Sequence, residues 1–178
     1  MLIRTILLTV ATALLFTACE NPHTCNYDST SNTLVCAEKT YATANVDGKI
    51  WMVENLNYYD PDSSFCYGND NGNCKKYGRL YDYASASTSC PKGWRLPTES
   101  EYLAFIGNKA VTEIDNFKML KAGFRYYDNK FADENVSASF WTRDSYDDSR
   151  ATLVRISDSV RYERFNKKIG ASVRCVMD

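Results

Sequence analysis

The residues able to do chemistry in this chain are few in kind: seven cysteines, one histidine and several short acidic runs. His23 lies in a polar stretch near the N-terminus, ahead of the segment that reads as the folded domain. A Ser–His or Cys–His pair, in which imidazole takes the nucleophile's proton, therefore has no base in the domain. The cysteines lack the paired CxxC spacing of a zinc site. In FWTRDSYDD, Asp144, Asp147 and Asp148 offer the hard oxygens that calcium takes, but Arg143 sets a cation among them, and the run reads as a solvated turn. Asn69, Asp70, Asn71 and Asn73 lack the EF-hand spacing and its distal Glu. No Asp or Glu stands out from turn and cap duties as half of a glycoside-hydrolysing pair. With neither a nucleophile–base pair nor a metal cluster in view, no enzyme, cofactor or metal is expected.

What the cysteines can do is crosslink and carry a lipid. The N-terminal MLIRTILLTVATALLFTAC has a charge at Arg4 and then a largely apolar run from Thr5 to Ala18. That run is shorter than the ~20 residues of a spanning helix and reads as a bacterial export signal over residues 1–18. Thr17-Ala18 before Cys19 resembles the lipobox of bacterial lipoproteins, with Phe16 as a departure where that motif has Leu. Cys19 is then the lipidated first residue, the membrane is a partner, and the expected location is the bacterial cell envelope, at the outer membrane. Setting Cys19 aside leaves six cysteines, enough for three disulfides. Sequence distance favours Cys25 with Cys36 and Cys66 with Cys74, which leaves Cys90 with Cys175 by elimination.

Charge excludes one class of partner. The 21 Lys and Arg of the 178 residues are matched by 22 Asp and Glu, so the basic excess that neutralises phosphates is missing and no nucleic acid is expected.

Residues 19–40 read as a polar tether carrying a disulfide-closed hairpin, and the domain as residues 41–178. After the turn signal Asp47-Gly48, GKIWMVENLNYY is β-prone. In YGRLYDYASAS, Leu80, Tyr83, Ala84 and Ser87 fall at helical spacing, which predicts a short helix at about 79–88 before Cys90-Pro91 stops it. CYGNDNGNC reads as a loop ordered by its crosslink. In CPKGWRLPTESEYLAF, Thr98 and Glu101 form a capping box, and a helix follows to about Asn108. Glu99 and Glu101 belong to its first turn and need no catalytic role. The remainder, NFKMLKAGFRYY, SASFWT, ATLVRI, VRYERFN and ASVRCV, reads as five strand-like segments, which with two preceding helices predicts an α+β domain.

WMVENLNY, CYGNDNGNC followed by YGRLYDYASA, CPKGWRLPTESEY, AGFRYY, FWT and GASVRCV, in that order, closely resemble the Fibrobacter succinogenes major paralogous domain, a family of bacterial exported and lipoprotein domains, across residues 41–178. That family looks related in fold to C-type-lectin-like domains. The resemblance implies two helices packed on a twisted, mainly antiparallel sheet, with a disulfide from the second-helix region to the last strand. It implies little about function, since one fold hosts many. Calcium-dependent sugar-binding lectins of that fold use Glu-Pro-Asn or Gln-Pro-Asp with Trp-Asn-Asp. Neither tripeptide occurs, and Trp141-Thr142-Arg143 stands in the Trp-Asn-Asp position. Formylglycine-generating enzymes share a related fold and are the alternative of a different class, but they need reactive cysteines, and every domain cysteine here has a plausible disulfide partner.

Aromatic side chains are the binding candidates that remain. Trp51, Trp94 and Trp141 have apolar neighbours and read as core. Tyr126 and Tyr127 are adjacent, so in a strand they point to opposite faces and one stays outside the core. Tyr58, Tyr59, Tyr67 and Tyr146 lie at strand ends or in loops. The expected ligand-binding set is Tyr126, Tyr127, Asp144, Tyr146 and Asp147. The expected function is non-catalytic binding of polysaccharide or envelope protein, with a purely structural envelope role as the rival.

Overall fold

Short stretches rich in Val, Tyr, Phe and Thr, divided by Gly, Asn and Asp, favour strands joined by tight turns. Strands dominate the computed structural model, which describes residues 24–36, 39–107 and 117–178. In chain order the elements are β1 (Cys25–Asp28), β2 (Thr33–Cys36), β3 (Thr40–Val46), β4 (Lys49–Met52), β5 (Ser64–Phe65), α1 (Asn71–Tyr77), β6 (Leu80–Tyr81), α2 (Tyr83–Ala86), β7 (Trp94–Arg95) and α3 (Glu99–Ile106). Then come β8 (Ala122–Arg125), β9 (Phe131–Glu134), β10 (Ala138–Ser145), β11 (Arg150–Ile156), β12 (Val160–Asn166), β13 (Ala171–Ser172) and β14 (Val176–Met177).

They make two curled sheets. One runs β1-β2-β3-β4-β14-β7 and the other β12-β11-β10-β13-β6-β5, with β8 joined to β10 and β9 to β8. Pairing is antiparallel except where β10 meets β13 and β8. The β3–β4 turn holds Asp47 at φ 51° and Gly48 at φ 82°, the two positive values that a tight two-residue hairpin requires. The hairpin of β1 and β2 continues directly into β3, and its Leu34 is fully buried in the core. The C-terminal segment ASVRCV, one strand by pattern, divides between the sheets: β13 joins one, β14 the other, and Cys175 sits between them.

The result is a mainly-β protein rather than the expected α+β arrangement of two helices on one sheet. The helix predicted at 79–88 is replaced by β6, whose Leu80 and Tyr81 are both buried and pair with β5 and β13, and by the single turn of α2. Asp82 starts that turn by accepting from Ser85 N–H at 2.9 Å. Conversely, the predicted loop after Cys66 contains α1. Asp70 caps it through Gly72 N–H at 2.7 Å, and Cys74 and Tyr77, three positions apart, turn one face inward.

All three expected disulfides form: Cys25–Cys36, Cys66–Cys74 and Cys90–Cys175. They fit an oxidising, extracytoplasmic compartment. Trp51, Trp94 and Trp141 are buried, as read from their neighbours. Among the described residues two larger clusters, and a small one of Tyr77, Leu80 and Ala122, fill the interior. One joins Leu34, Met52 and Trp94 of the first sheet to Tyr81, Trp141 and Leu153 of the second; the other packs Tyr102, Phe105 and Ile106 of α3 against Trp51, Phe140 and Val154. Cys19 and the expected export signal lie outside the described residues.

Candidate functional site

The acidic residues around α3 are consumed by the fold. Glu101 accepts from Thr98 N–H at 2.8 Å and Thr98 Oγ1 accepts from Glu101 N–H at 3.1 Å, the reciprocal capping box. The same carboxylate takes a two-pronged hydrogen bond from Arg95, at 2.7 and 2.8 Å, and an ion pair from Lys49 at 3.2 Å. The Arg95 hydrogen bonds, with help from Thr98 and Lys49 and against the cost of burial, hold the Glu101 carboxyl down to about 2. Arg95 also reaches Asp178 at 2.8 Å. Asp144, at the end of β10, accepts from Glu99 N–H at 2.6 Å, so it caps α3 from 45 residues away in sequence. Glu99 in turn pairs with Arg164 of β12 at 3.4 Å.

Asp147 is equally occupied. One oxygen accepts from Ser149 N–H at 2.8 Å, Ser149 Oγ at 2.9 Å and Arg150 N–H at 2.7 Å; the other takes Arg150 Nε at 2.8 Å. The Arg150 guanidinium, then the Ser149 donors, hold its carboxyl well below the usual range. The acidic turn is thus closed on itself. Among the described residues no group of three His, Cys, Asp or Glu is placed to hold a metal ion.

Tyr146, at the start of that turn, is 59 % exposed. Two guanidiniums lie near its ring, Arg150 at 5.1 Å and Arg164 at 5.3 Å from the centroid, and hold it in place as an exposed aromatic side chain.

The second aromatic site is the tip of the β8–β9 hairpin. Gly123 makes the hairpin possible: at φ 63° an added Cβ would come within 2.1 Å of the Ala132 carbonyl oxygen. At the tip Tyr126 N–H donates to Lys130 O at 2.7 Å, Arg125 donates to the Asn129 side chain, and Asp128 pairs with Lys130 at 2.9 Å. Tyr126 packs edge-on against Phe124 with centroids 4.7 Å apart, while Tyr127 is 68 % exposed.

The two sites do not share a face. Tyr146 lies against Arg164, whereas Phe124, which carries Tyr126, lies 5.8 Å from Phe165. Arg164 and Phe165 are consecutive in β12 and so project to opposite sides of the sheet. The five residues grouped by sequence therefore separate: Tyr126 and Tyr127 at the β8–β9 tip, Tyr146 and Asp147 in the turn after β10, and Asp144 as a cap of α3. Sequence reading missed a further polar feature nearby, a cleft of about 200 Å³ lined by Tyr83, Ser87, Arg95, Arg143 and Asp178. Tyr83 donates to the Arg143 carbonyl at 2.8 Å, and its ring meets Trp141 edge-on at 5.2 Å.

Sequence reading also missed Arg174, a fully buried cation. It donates to Asn55 Oδ1 at 3.0 Å and to the carbonyls of Phe117 at 2.6 Å and Lys118 at 2.5 Å, and lies over the Phe140 ring. Burial pulls its guanidinium down to about 10, so it stays charged at neutral pH. In sequence it is an ordinary charge in a strand pattern, and only the three-dimensional structure shows it clamping the segment after α3.

Compared with protein-family models, curated proteins and solved structures, the chain matches none. Among the described residues, no helix is long and apolar enough to cross a membrane.

Proposed function

We propose that this protein is a lipid-anchored, non-catalytic module of the bacterial cell envelope, with a fold of the C-type-lectin-like kind, that binds polysaccharide or envelope protein through its aromatic loops. The observation that carries this reading is the contrast in the loops between occupied carboxylates and offered rings. Asp147 has both oxygens taken by Ser149 and Arg150 donors and Asp144 has one taken by the Glu99 N–H, while Tyr127 and Tyr146 expose more than half their surface on ordered turns. Aromatic plates of this kind stack on sugar rings or anchor protein contacts. Titration of the protein in detergent with envelope and plant polysaccharides tests it. Binding should persist in EDTA and weaken by about 1 kcal/mol or more on Tyr127→Ala or Tyr146→Ala. Calcium-dependent binding, or binding indifferent to both substitutions, would overturn it. For the anchor, Cys19→Ser should release the protein from membranes or block its processing. An unchanged membrane fraction with no lipid on the N-terminal peptide would remove that part.

One observation favours a second reading, a purely structural envelope role. The tyrosines divide between two faces of the second sheet and form no single apolar patch of the size that marks a docking surface. Failure of every polysaccharide and envelope protein to bind would select it.

A further inference from the structure

The N-terminal strand fixes where the chain leaves the domain. Cys25 pairs with Cys36 across β1 and β2 and is joined to it by a disulfide, and Cys36 N–H donates to the Lys39 carbonyl at 3.0 Å. Lys39 lines a shallow groove of about 60 Å³ with Lys75, Lys76, Lys118 and Glu54. Four ammonium groups thus surround one lining carboxylate. Glu54 is partly committed: one oxygen accepts from Ala42 N–H at 3.3 Å, and the other lies 3.9 Å from Lys118. Glu134, which accepts from Tyr77 Oη at 3.0 Å, is the carboxylate that acts on Lys76. The ammonium groups of Lys39 and Lys76 lie over the Tyr41 and Tyr77 rings, 4.7 and 4.3 Å from the centroids, and these cation–π contacts position both charges without neutralising them. Lys75 and Lys76 are exposed, as is the Lys118 side chain.

We propose that this lysine groove docks on anionic phospholipid headgroups and so sets which way the domain faces on its membrane. The inference rests on the Cys19 anchor proposed above. Only residues 20–24 separate Cys19 from β1. At 3.3–3.6 Å per extended residue, the six Cα steps from Cys19 to Cys25 span at most ~22 Å. The face beside Cys25 is therefore the one brought to the bilayer, and it is the face that carries the four lysines. Surface potential falls off over ~8–10 Å at physiological salt, less than half the ~22 Å of a fully drawn leash, so the charges enter the field they need when the leash is slack. Each lysine near an anionic surface should change partitioning by about fivefold.

The test uses the full chain, with the lipid state of its N-terminal peptide read by mass spectrometry. The chain is reconstituted with vesicles of phosphatidylcholine alone or of phosphatidylcholine mixed with phosphatidylglycerol. Lysine acylation is then mapped by peptide mass. Lys75, Lys76 and Lys118 should react about fivefold more slowly on the mixed vesicles, and recover in high salt, while Lys130 and Lys167 react equally on both. Lys75→Gln with Lys76→Gln should lower flotation with mixed vesicles about 25-fold in a chain without lipid, and abolish the protection of Lys118 in a lipidated one. A lipidated chain with equal lysine reactivity on both vesicles would overturn the docking and leave the anchor standing. A chain without lipid that still shows headgroup-dependent protection would remove the anchor and support the groove. Protection by a soluble polyuronate with none on vesicles would overturn the membrane as the groove's partner.

Discussion

The corner around α3 and the tip of the β8–β9 hairpin use their polar groups in opposite ways. At α3, Glu101 serves Thr98, Arg95 and Lys49 together, Asp144 caps from another strand, and Arg174 is sealed nearby with three acceptors. At the hairpin tip the polar groups close only a tight local turn, and Tyr127 projects with most of its surface in solvent. In these two regions the carboxylates are engaged within the fold, and the Tyr127 ring is left in solvent. A lectin-like surface would be looked for among carboxylates; here the same positions hold the scaffold together.

The contrast can be broken most forcefully at the covalent tie. Replacing Cys90 and Cys175 together by Ala opens an 85-residue span and should cost about 4–5 kcal/mol, read as the shift in urea midpoint. A cost under about 1 kcal/mol would mean that packing alone fixes the corner. Next in size is Arg174→Met. It keeps the stem's volume but strips donors from Asn55, Phe117 and Lys118, and should cost about 3 kcal/mol in the same measurement. A neutral result would show that water replaces the guanidinium without loss.

Glu101→Gln should cost on the order of 2 kcal/mol at neutral pH. Its pH signature is sharper than its size. Because the folded carboxyl titrates at about 2, below its ordinary 4.5, the folded state favours the carboxylate. That contribution is complete above pH 4.5 and is lost as pH falls toward 2. The wild type should therefore lose stability across this window by more than the Gln variant does, and parallel curves would refute the assignment. Smallest of all, Tyr127→Ala should change stability by no more than about 0.5 kcal/mol, since the residue is 68 % exposed. A larger loss would make Tyr127 part of the scaffold and erase the distinction between the two regions.

Features with local causes were legible in the sequence. The Thr98–Glu101 box, the Asp47-Gly48 turn and the two short disulfides depend on residues a few positions apart, and each forms as read. Where burial overrode propensity, the reading failed. Leu80 falls at helical spacing with Tyr83, Ala84 and Ser87, but it and Tyr81 pair into a strand with both side chains buried. Asn71–Tyr77 has the composition of a loop, yet one cap and one crosslinked cysteine suffice for two turns of helix. The candidate site was legible by residue type and not by grouping. Tyr127 and Tyr146 are exposed as expected, but no local signal tells that Asp144 reaches Glu99, that Tyr126 and Tyr146 lie on opposite faces, or that Arg174 is buried.

The three disulfides also determine how the protein bears tension. If a ligand at Tyr127 is pulled away from the N-terminal end of the described chain, the load runs between Thr24 and Tyr127. On that route the rings at Cys25–Cys36 and Cys66–Cys74 remove spans of 11 and 8 residues from the length that can be drawn out. Beyond Cys90 the route divides, because Tyr127 lies inside the ring closed by Cys175, and both arms must be stretched for the tip to move away. The hairpin tip is thus slung on two covalent strands rather than one. A domain that unravelled under shear would still keep its aromatic tip on a short, doubled leash.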